Sequence, residues 1–262
     1  MAHIDNHPAG SFCWIELATS DQAAAKAFYG QLFGWGVQDS PMGPDAYYSM
    51  FKLDGRDVAA GCALCEEHKA KGVPPHWSVY IATPDADHAV KRTTELGGTV
   101  LAPAFDVFDM GRMAVLKDPT GAVFSIWQPR RHKGLGITNV EGALCWADLS
   151  TPDPDRAKAF YGDLFGWKLV VGEHDPSGYL HIVNNGEMIG GIPPTAHRNP
   201  NIPPHWLIYF QVADCNASAT TAKQLGATYR LPPMFMERVG TFAVLADPQG
   251  ATFAMFQPMA RE

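Results

Sequence analysis

The alternation of apolar and polar positions predicts short strands and amphipathic helices in a repeating order. An apolar, β-prone run comes first, and apolar residues at helical spacing follow it. Ser20 or Asp21 is placed to cap that helix and Gly34 to end it. Two more strands flank a turn at Asp54 and Gly55. In this first unit the strands are therefore expected at 12–17, 47–53 and 58–64.

The same order restarts three times along the chain, so four strand–helix–strand–strand–strand units are predicted. The second unit has expected strands at 77–82, 112–116 and 123–127, with a helix from Pro84 or Asp85 to Leu96. The third and fourth units begin at 144–149 and 207–212, followed by helices at 153–165 and 214–225. This order is typical of an α+β fold with helices on one face of a sheet. The other face must be covered or must bind something.

Exact motifs recur in one order and show that the chain is duplicated. The segment Phe28-Tyr29-Gly30 returns 132 positions later, as does Trp14 at Trp146. Later motifs, Pro-Pro-His-Trp and Asp-Pro-x-Gly, return 129 positions later, which indicates a short loop insertion in one half. We therefore expect two domains, 1–132 and 133–262, containing units at about 10–66, 74–129, 142–194 and 203–258.

Composition narrows the classes of partner. The 262 residues carry a net charge of −7, and the nearest approach to a basic stripe is the run 130–133 between the halves. A nucleic-acid or membrane partner is therefore not expected. No signal peptide or membrane span is predicted, and five cysteines without a second Cys-x-x-Cys motif favour a reducing cytoplasm and no zinc site. One chain could complete two cavities, so the expected state is a monomer or a homodimer.

Phe-Tyr-Gly-x-Leu-Phe-Gly-Trp after a first strand, and Asp-Pro-x-Gly before a last strand, resemble the vicinal oxygen chelate superfamily. That superfamily includes glyoxalase I, the bleomycin-resistance proteins and the extradiol dioxygenases. The resemblance implies that units pair side by side and that their curved sheets enclose a ligand cavity. It covers nearly the whole chain and is specific for the fold, but one fold hosts many chemistries.

The resemblance also implies positions for metal ligands, and the residues found there are unsuitable. The first-strand positions carry Trp14, Ser78, Trp146 and Leu207, and the last-strand positions carry Ser125 and Ala254. The remaining two positions, near 61–64 and 190–192, offer no carboxylate or histidine, although Cys62 is close. A divalent metal needs imidazole, thiolate or carboxylate ligands. No cofactor is therefore predicted, and a metal is not supported.

Strand alternation predicts what faces the cavities instead. Each half projects a Trp, a carboxylate, a His and a Tyr. The candidate acid–base residues are His76, His205, Glu16 and Asp148; the candidate ligand-binding residues are Trp14, Ser78, Tyr80, Arg112, Trp127, Trp146, Tyr209 and Phe256. A carboxylate beside a His makes a general acid or base near neutral pH, and aromatic walls suit a flat ligand. Arg112 could add a counter-charge for an acidic ligand.

The same histidines and carboxylates also have purely structural interpretations. Both histidines follow Pro-Pro at the start of a strand, where an imidazole often caps a loop, and a buried carboxylate often pairs structurally.

The first functional hypothesis is a metal-independent protein that binds or modifies a small aromatic or conjugated metabolite. The second is a lyase, isomerase or hydroxylase-type enzyme using His–carboxylate chemistry or an unconventional metal site. The third is a purely structural or interaction protein with filled cavities.

Overall fold

The computed structural model describes residues 4–43, 46–172 and 177–259. In the first half the elements are β1 (Phe12–Thr19), α1 (Gln22–Phe33), β2 (Gly36–Pro41), β3 (Tyr47–Leu53), β4 (Arg56–Ala63), α2 (Glu66–Ala70), β5 (His76–Ala82), α3 (Ala86–Glu95), β6 (Thr99–Val107), β7 (Gly111–Lys117) and β8 (Val123–Pro129).

The second half repeats this order with one short 3-10 turn, Thr195–His197, in the place of α2. Its elements are β9 (Leu144–Ser150), α4 (Pro154–Phe165), β10 (Lys168–Val171), β11 (Leu180–Asn184), β12 (Glu187–Ile192), β13 (His205–Gln211), α5 (Cys215–Gln224), β14 (Thr228–Met236), β15 (Gly240–Ala246) and β16 (Thr252–Pro258). The four predicted units are thereby confirmed.

Each half forms one curved, mixed sheet of eight strands. The strand order is β2-β3-β4-β1-β5-β8-β7-β6 in the first half and β10-β11-β12-β9-β13-β16-β15-β14 in the second. The first strands of paired units meet in antiparallel register at the sheet centre, with Glu16 opposite Ser78 and Asp148 opposite Leu207. This side-by-side pairing is the arrangement that the sequence resemblance implied.

The long helices begin and end at the residues that the sequence indicated. Asp21 caps α1 by accepting a hydrogen bond from the Ala24 amide, and Asp153 caps α4 in the same way. Gly34 ends α1 in the left-handed conformation, at φ 71°, which costs glycine little because it lacks a Cβ.

The Phe-Tyr-Gly and Asp-Pro-x-Gly motifs hold the two halves together. The Tyr29 hydroxyl of α1 donates to Asp247 of the second half at 2.9 Å, and the Tyr161 hydroxyl of α4 donates to Asp118 of the first half at 2.9 Å. The other carboxylate oxygen of Asp118 accepts three backbone amides of its own turn. Each aspartate thus shapes a turn and fixes the opposite half.

An aromatic core surrounds these hydrogen bonds. Phe33 of α1 packs on Phe210 of β13 with ring centroids 4.9 Å apart, and Tyr161 of α4 packs on Phe124 of β8 at 5.5 Å. Helices α1 and α4 therefore lie between the two sheets and bury apolar side chains against both. The concave sheet faces point away from this central layer.

Candidate ligand-binding site

The carboxylate of Glu16 lies in the middle of the first concave face. It accepts hydrogen bonds from the hydroxyls of Tyr48 at 2.7 Å and Tyr80 at 3.2 Å. Trp14, two residues before it on β1, donates its indole N–H to the Tyr48 hydroxyl at 3.1 Å. Period-two alternation explains why Trp14 and Glu16 share this face.

Asp148 repeats the arrangement in the second half. It accepts hydrogen bonds from Tyr209 at 2.8 Å and from Tyr179. Trp146 donates its indole N–H to Asp148 at 3.0 Å and to the Tyr179 hydroxyl at 2.8 Å. Both concave faces therefore carry one carboxylate held by two tyrosines beside a tryptophan.

Burial sets the charge state of these carboxylates. Loss of hydration raises the pKa of Glu16, while hydrogen bonds from Tyr48, Tyr80 and Cys62 act in the opposite direction. Burial raises the pKa of Asp148 to about 6, against the lowering effect of its tyrosine and tryptophan donors. Asp148 is therefore placed to exchange a proton near neutral pH.

The two candidate histidines have backbone partners. The Nδ1 atom of His76 lies 2.8 Å from the Pro74 carbonyl oxygen, and that of His205 lies 2.9 Å from the Pro203 carbonyl oxygen. His76 stands opposite Ala18 in the β1–β5 register, whereas Ser78 stands opposite Glu16. The carboxylates accordingly take tyrosines as partners where the sequence had suggested histidines. A catalytic role for His76 and His205 stays a prediction.

Arg112 lies away from the concave face, so its predicted place among cavity-facing residues is corrected here. The next residue on β7, Met113, lies opposite Trp127, which faces inward. Alternation turns Arg112 to the helix side, where its guanidinium binds Asp87 at 2.8 Å and Asp106 at 2.9 Å.

Three further residues singled out in the sequence lie on the last strands of the paired units. Trp127 is buried and donates its indole N–H to the His132 carbonyl at 3.0 Å. Ser125 lies opposite Tyr80 on the same face. Phe256 on β16 stands opposite Phe242 of β15 and is half-buried. Whether these side chains contact a ligand stays a prediction.

Three residues of this region were not predicted from the sequence. Tyr48 on β3 and Tyr179 just before β11 hold the carboxylates across one intervening strand. They are 131 positions apart, so a fuller comparison of the halves would have paired them. His181 on β11 packs near Tyr179 with ring centroids 5.0 Å apart. The strand registers place Met50 at the equivalent position of the first half, so comparing the two halves does not predict an imidazole there.

The donor set does not fit a conventional divalent-metal centre. Each concave face carries one central carboxylate, and its oxygens already accept hydrogen bonds from tyrosines. No group of three or more His, Cys, Asp or Glu side chains that could hold a metal ion occurs within 4–43, 46–172 and 177–259. Burial raises the pKa of the nearby Cys62 thiol to about 12, which disfavours the thiolate that a metal would bind.

Paired βαβββ units in two curved eight-stranded sheets define a glyoxalase-type fold, and sequence comparison gives the family. The model of the Glyoxalase/Bleomycin resistance protein/Dioxygenase superfamily matches residues 11–126 and again 143–255. The chain belongs to this superfamily, with two tandem domains of the vicinal oxygen chelate type.

Two relatives match almost end to end. CFP32 of Mycobacterium tuberculosis (strain CDC 1551 / Oshkosh), whose glyoxylase name is provisional, is 41% identical over 266 residues, covering 100% of both chains. The anthracycline biosynthesis protein DauV of Streptomyces sp. (strain C5) is 33% identical, covering 95% of this chain and 93% of its own.

Solved structures share the fold at low sequence identity. The Mn(II)-bound glyoxalase from Novosphingobium aromaticivorans superimposes with a TM-score of 0.63 at 17% identity, covering 95% of this chain and 83% of its own. The 2,3-dioxygenase LapB from Pseudomonas sp. KL28 superimposes with a TM-score of 0.65 at 14% identity, covering 97% of this chain and 94% of its own. At such identities the likeness concerns architecture alone.

Among the described residues, no helix is long and apolar enough to cross a membrane.

Proposed function

We propose that this protein binds a small aromatic or conjugated metabolite on a concave sheet face without using a metal ion. The observation that carries the proposal is the repeated cluster of one carboxylate, two tyrosines and one tryptophan. Indole and phenol rings offer flat apolar walls, and the carboxylate–tyrosine pair offers a polar anchor for a hydroxyl or carbonyl group.

The metal-independent part of the proposal has its own support. The residues at the ligand positions of the metal-using relatives are Trp14, Ser78 and Ser125 in the first half and Trp146, Leu207 and Ala254 in the second. None of these side chains is a usual ligand for a divalent cation. A relative named for anthracycline biosynthesis agrees with a role in handling a small organic molecule.

Isothermal titration tests both parts with 2,6-dihydroxynaphthalene and 2,6-dihydroxyanthraquinone as probes. We expect micromolar binding to protein that has been stripped with a chelator, and equal affinity after Mn²⁺, Fe²⁺ or Zn²⁺ is restored. A ligand that binds only the folded state also raises its melting temperature, which provides a second readout. Binding that appears only in the metal-loaded protein would refute the proposal.

A second candidate function is acid–base catalysis by a lyase, isomerase or hydroxylase-type member of the family. The observation favouring it is the Asp148 carboxyl, whose pKa of about 6 suits proton transfer at neutral pH. Tyr209 and Tyr179 donate to it and could pass or stabilise charge on a bound carbonyl.

The test of this second function is mutational. With a turned-over substrate in hand, Asp148→Asn should lower kcat by at least a hundredfold and remove the acidic limb of the pH–rate profile. The double variant His76→Ala with His205→Ala tests the sequence-based alternative. Full activity of Asp148→Asn would assign the chemistry elsewhere.

A further inference from the structure

The tryptophan end of the first concave face is covered by the segment that links the two halves. The ring of His132 packs edge-on against Trp14, with centroids 4.5 Å apart, and lies 5.8 Å from the ring of Trp127. Trp14 is only 3% exposed as a result. An imidazole supplied by the protein itself therefore occupies the space beside this tryptophan.

The same segment also satisfies backbone acceptors at the end of this sheet. The Leu135 amide donates to the Cys13 carbonyl at 2.8 Å, and the Gly136 amide donates to the Asp57 carbonyl at 2.7 Å. Leu135 is 1% exposed, so the segment is packed as core rather than laid on the surface. Residues 132–136 thus occupy the space beside Trp14 and at the adjoining end of the sheet.

The equivalent space in the second half is a cavity of about 460 Å³. The repeat and the hairpin registers relate Trp14 to Trp146, Cys13 to Cys145 and Asp57 to Met188. All three counterparts line this cavity, together with other residues of the second half such as Asn184 and Glu187. The N-terminal segment and the linker contribute Ile4, Asn6, His7, Pro8, Thr138 and Asn139. Trp146 is correspondingly only half-buried.

A buried polar atom near the tryptophan adds to this asymmetry. The Nδ1 atom of His181 is buried and has no hydrogen-bond partner among the described residues. Its ring lies 6.2 Å from that of Trp146. The equivalent position in the first half is Met50, whose side chain has no such polar atom.

We infer that the two halves have divided their roles: the first cavity is closed by the protein's own linker, and the cavity beside Trp146 is the single small-molecule site. The ligand class is a planar aromatic ring that carries O–H or N–H donors. The ring of the ligand lies against Trp146 as the ring of His132 lies against Trp14. The donors of the ligand face the carbonyls of Cys145 and Met188, as the linker amides face those of Cys13 and Asp57. This inference rests on the proposed function, gives it a stoichiometry, and places the ligand beside Trp146, the member of the second-half cluster that lines the cavity.

The test is calorimetry and NMR on the full chain with 2,6-dihydroxynaphthalene. We expect one molecule bound per chain, not two. In protein labelled at the methionine methyl groups, the Met188 signal should shift on titration while that of Met113, on the first concave face, stays in place. Each signal is assigned with a Met→Leu variant.

Matched variants separate the halves. Trp146→Leu should weaken binding of the probe at least tenfold, whereas Met113→Leu, a change on the first concave face, should leave affinity within about twofold. The melting temperature of each variant reports whether it is folded, and Trp146→Phe replaces Trp146→Leu if the latter is not. Two molecules per chain, or a shift at Met113 without one at Met188, would overturn the division of roles while the proposed function survived. Absence of binding by either aromatic probe would refute the proposed function itself.

Discussion

Replacing Asp148 by Asn tests whether a buried carboxylate sits at the centre of the second sheet. Asp148 is 6% exposed, and burial raises its pKa from 3.8 to about 6. Holding the group ionised in the folded protein therefore costs on the order of 3 kcal/mol, at about 1.4 kcal/mol per pKa unit. Asparagine has nearly the same shape and carries no charge.

The sign of the pH dependence follows from the raised pKa. The favourable contribution of the protonated carboxyl is complete below pH 3.8 and is lost as the pH rises through about 6. The wild type should thus lose up to about 3 kcal/mol of stability from this group between pH 4 and pH 8, and Asp148→Asn should not. The tyrosine hydroxyls can rotate so that one accepts from the new amide, at a cost of about 1 kcal/mol that does not depend on pH.

The assay is urea unfolding of both proteins at several pH values, with the free energy of unfolding compared at each. The difference between variant and wild type should move by about 3 kcal/mol in favour of the variant from pH 4 to pH 8. Leu207→Val, on the strand opposite Asp148, is the control, because its difference from the wild type should be the same at every pH. Repeating the pair in a His181→Gln background removes the neighbouring imidazole. A difference that is constant within about 0.5 kcal/mol over this range would refute the reasoning.

Three further predictions concern stability and packing. Tyr29→Phe removes the buried hydroxyl that donates to Asp247 across the halves, and it should lower the free energy of unfolding by about 2–3 kcal/mol, measured by urea denaturation. Gly191→Ala would set a methyl group against the Tyr179 ring, so we expect a loss of about 1–3 kcal/mol and weaker binding of the naphthalene probe; unchanged stability would contradict the observed packing. Asp153→Ala removes the N-cap of α4 and should cost about 1 kcal/mol, and Asp153→Ser should restore most of it.

The sequence by itself determined the repeat, the four units and the family fold. Those features depend on local rules: strand alternation, helix periodicity, a capping Asp21 and a left-handed Gly34 each act within a few residues. The positions of Glu16 and Asp148 on the concave faces follow from the same alternation, because the strand that carries each was recognisable from its own residues.

Tertiary structure decided what those carboxylates contact. Tyr48 and Tyr179 reach them across the sheet, and such pairing depends on strand registers that hydrogen bonds between distant segments establish. The orientation of Arg112 depends likewise on the register of β7 against β8. A shift of one residue reverses which side of a sheet a residue faces, and local pattern alone does not fix that choice.

Tertiary structure also made the two halves unequal. The sequence shows Trp14 and Trp146 as equivalents, yet His132 covers the first tryptophan and the second borders a cavity. The cause is the segment 132–136, which packs on the first half, whereas the N-terminal segment and later linker residues border the cavity of the second. Aligning the repeats compares residues at equivalent positions, whereas the half against which a connecting segment packs depends on the whole folded chain.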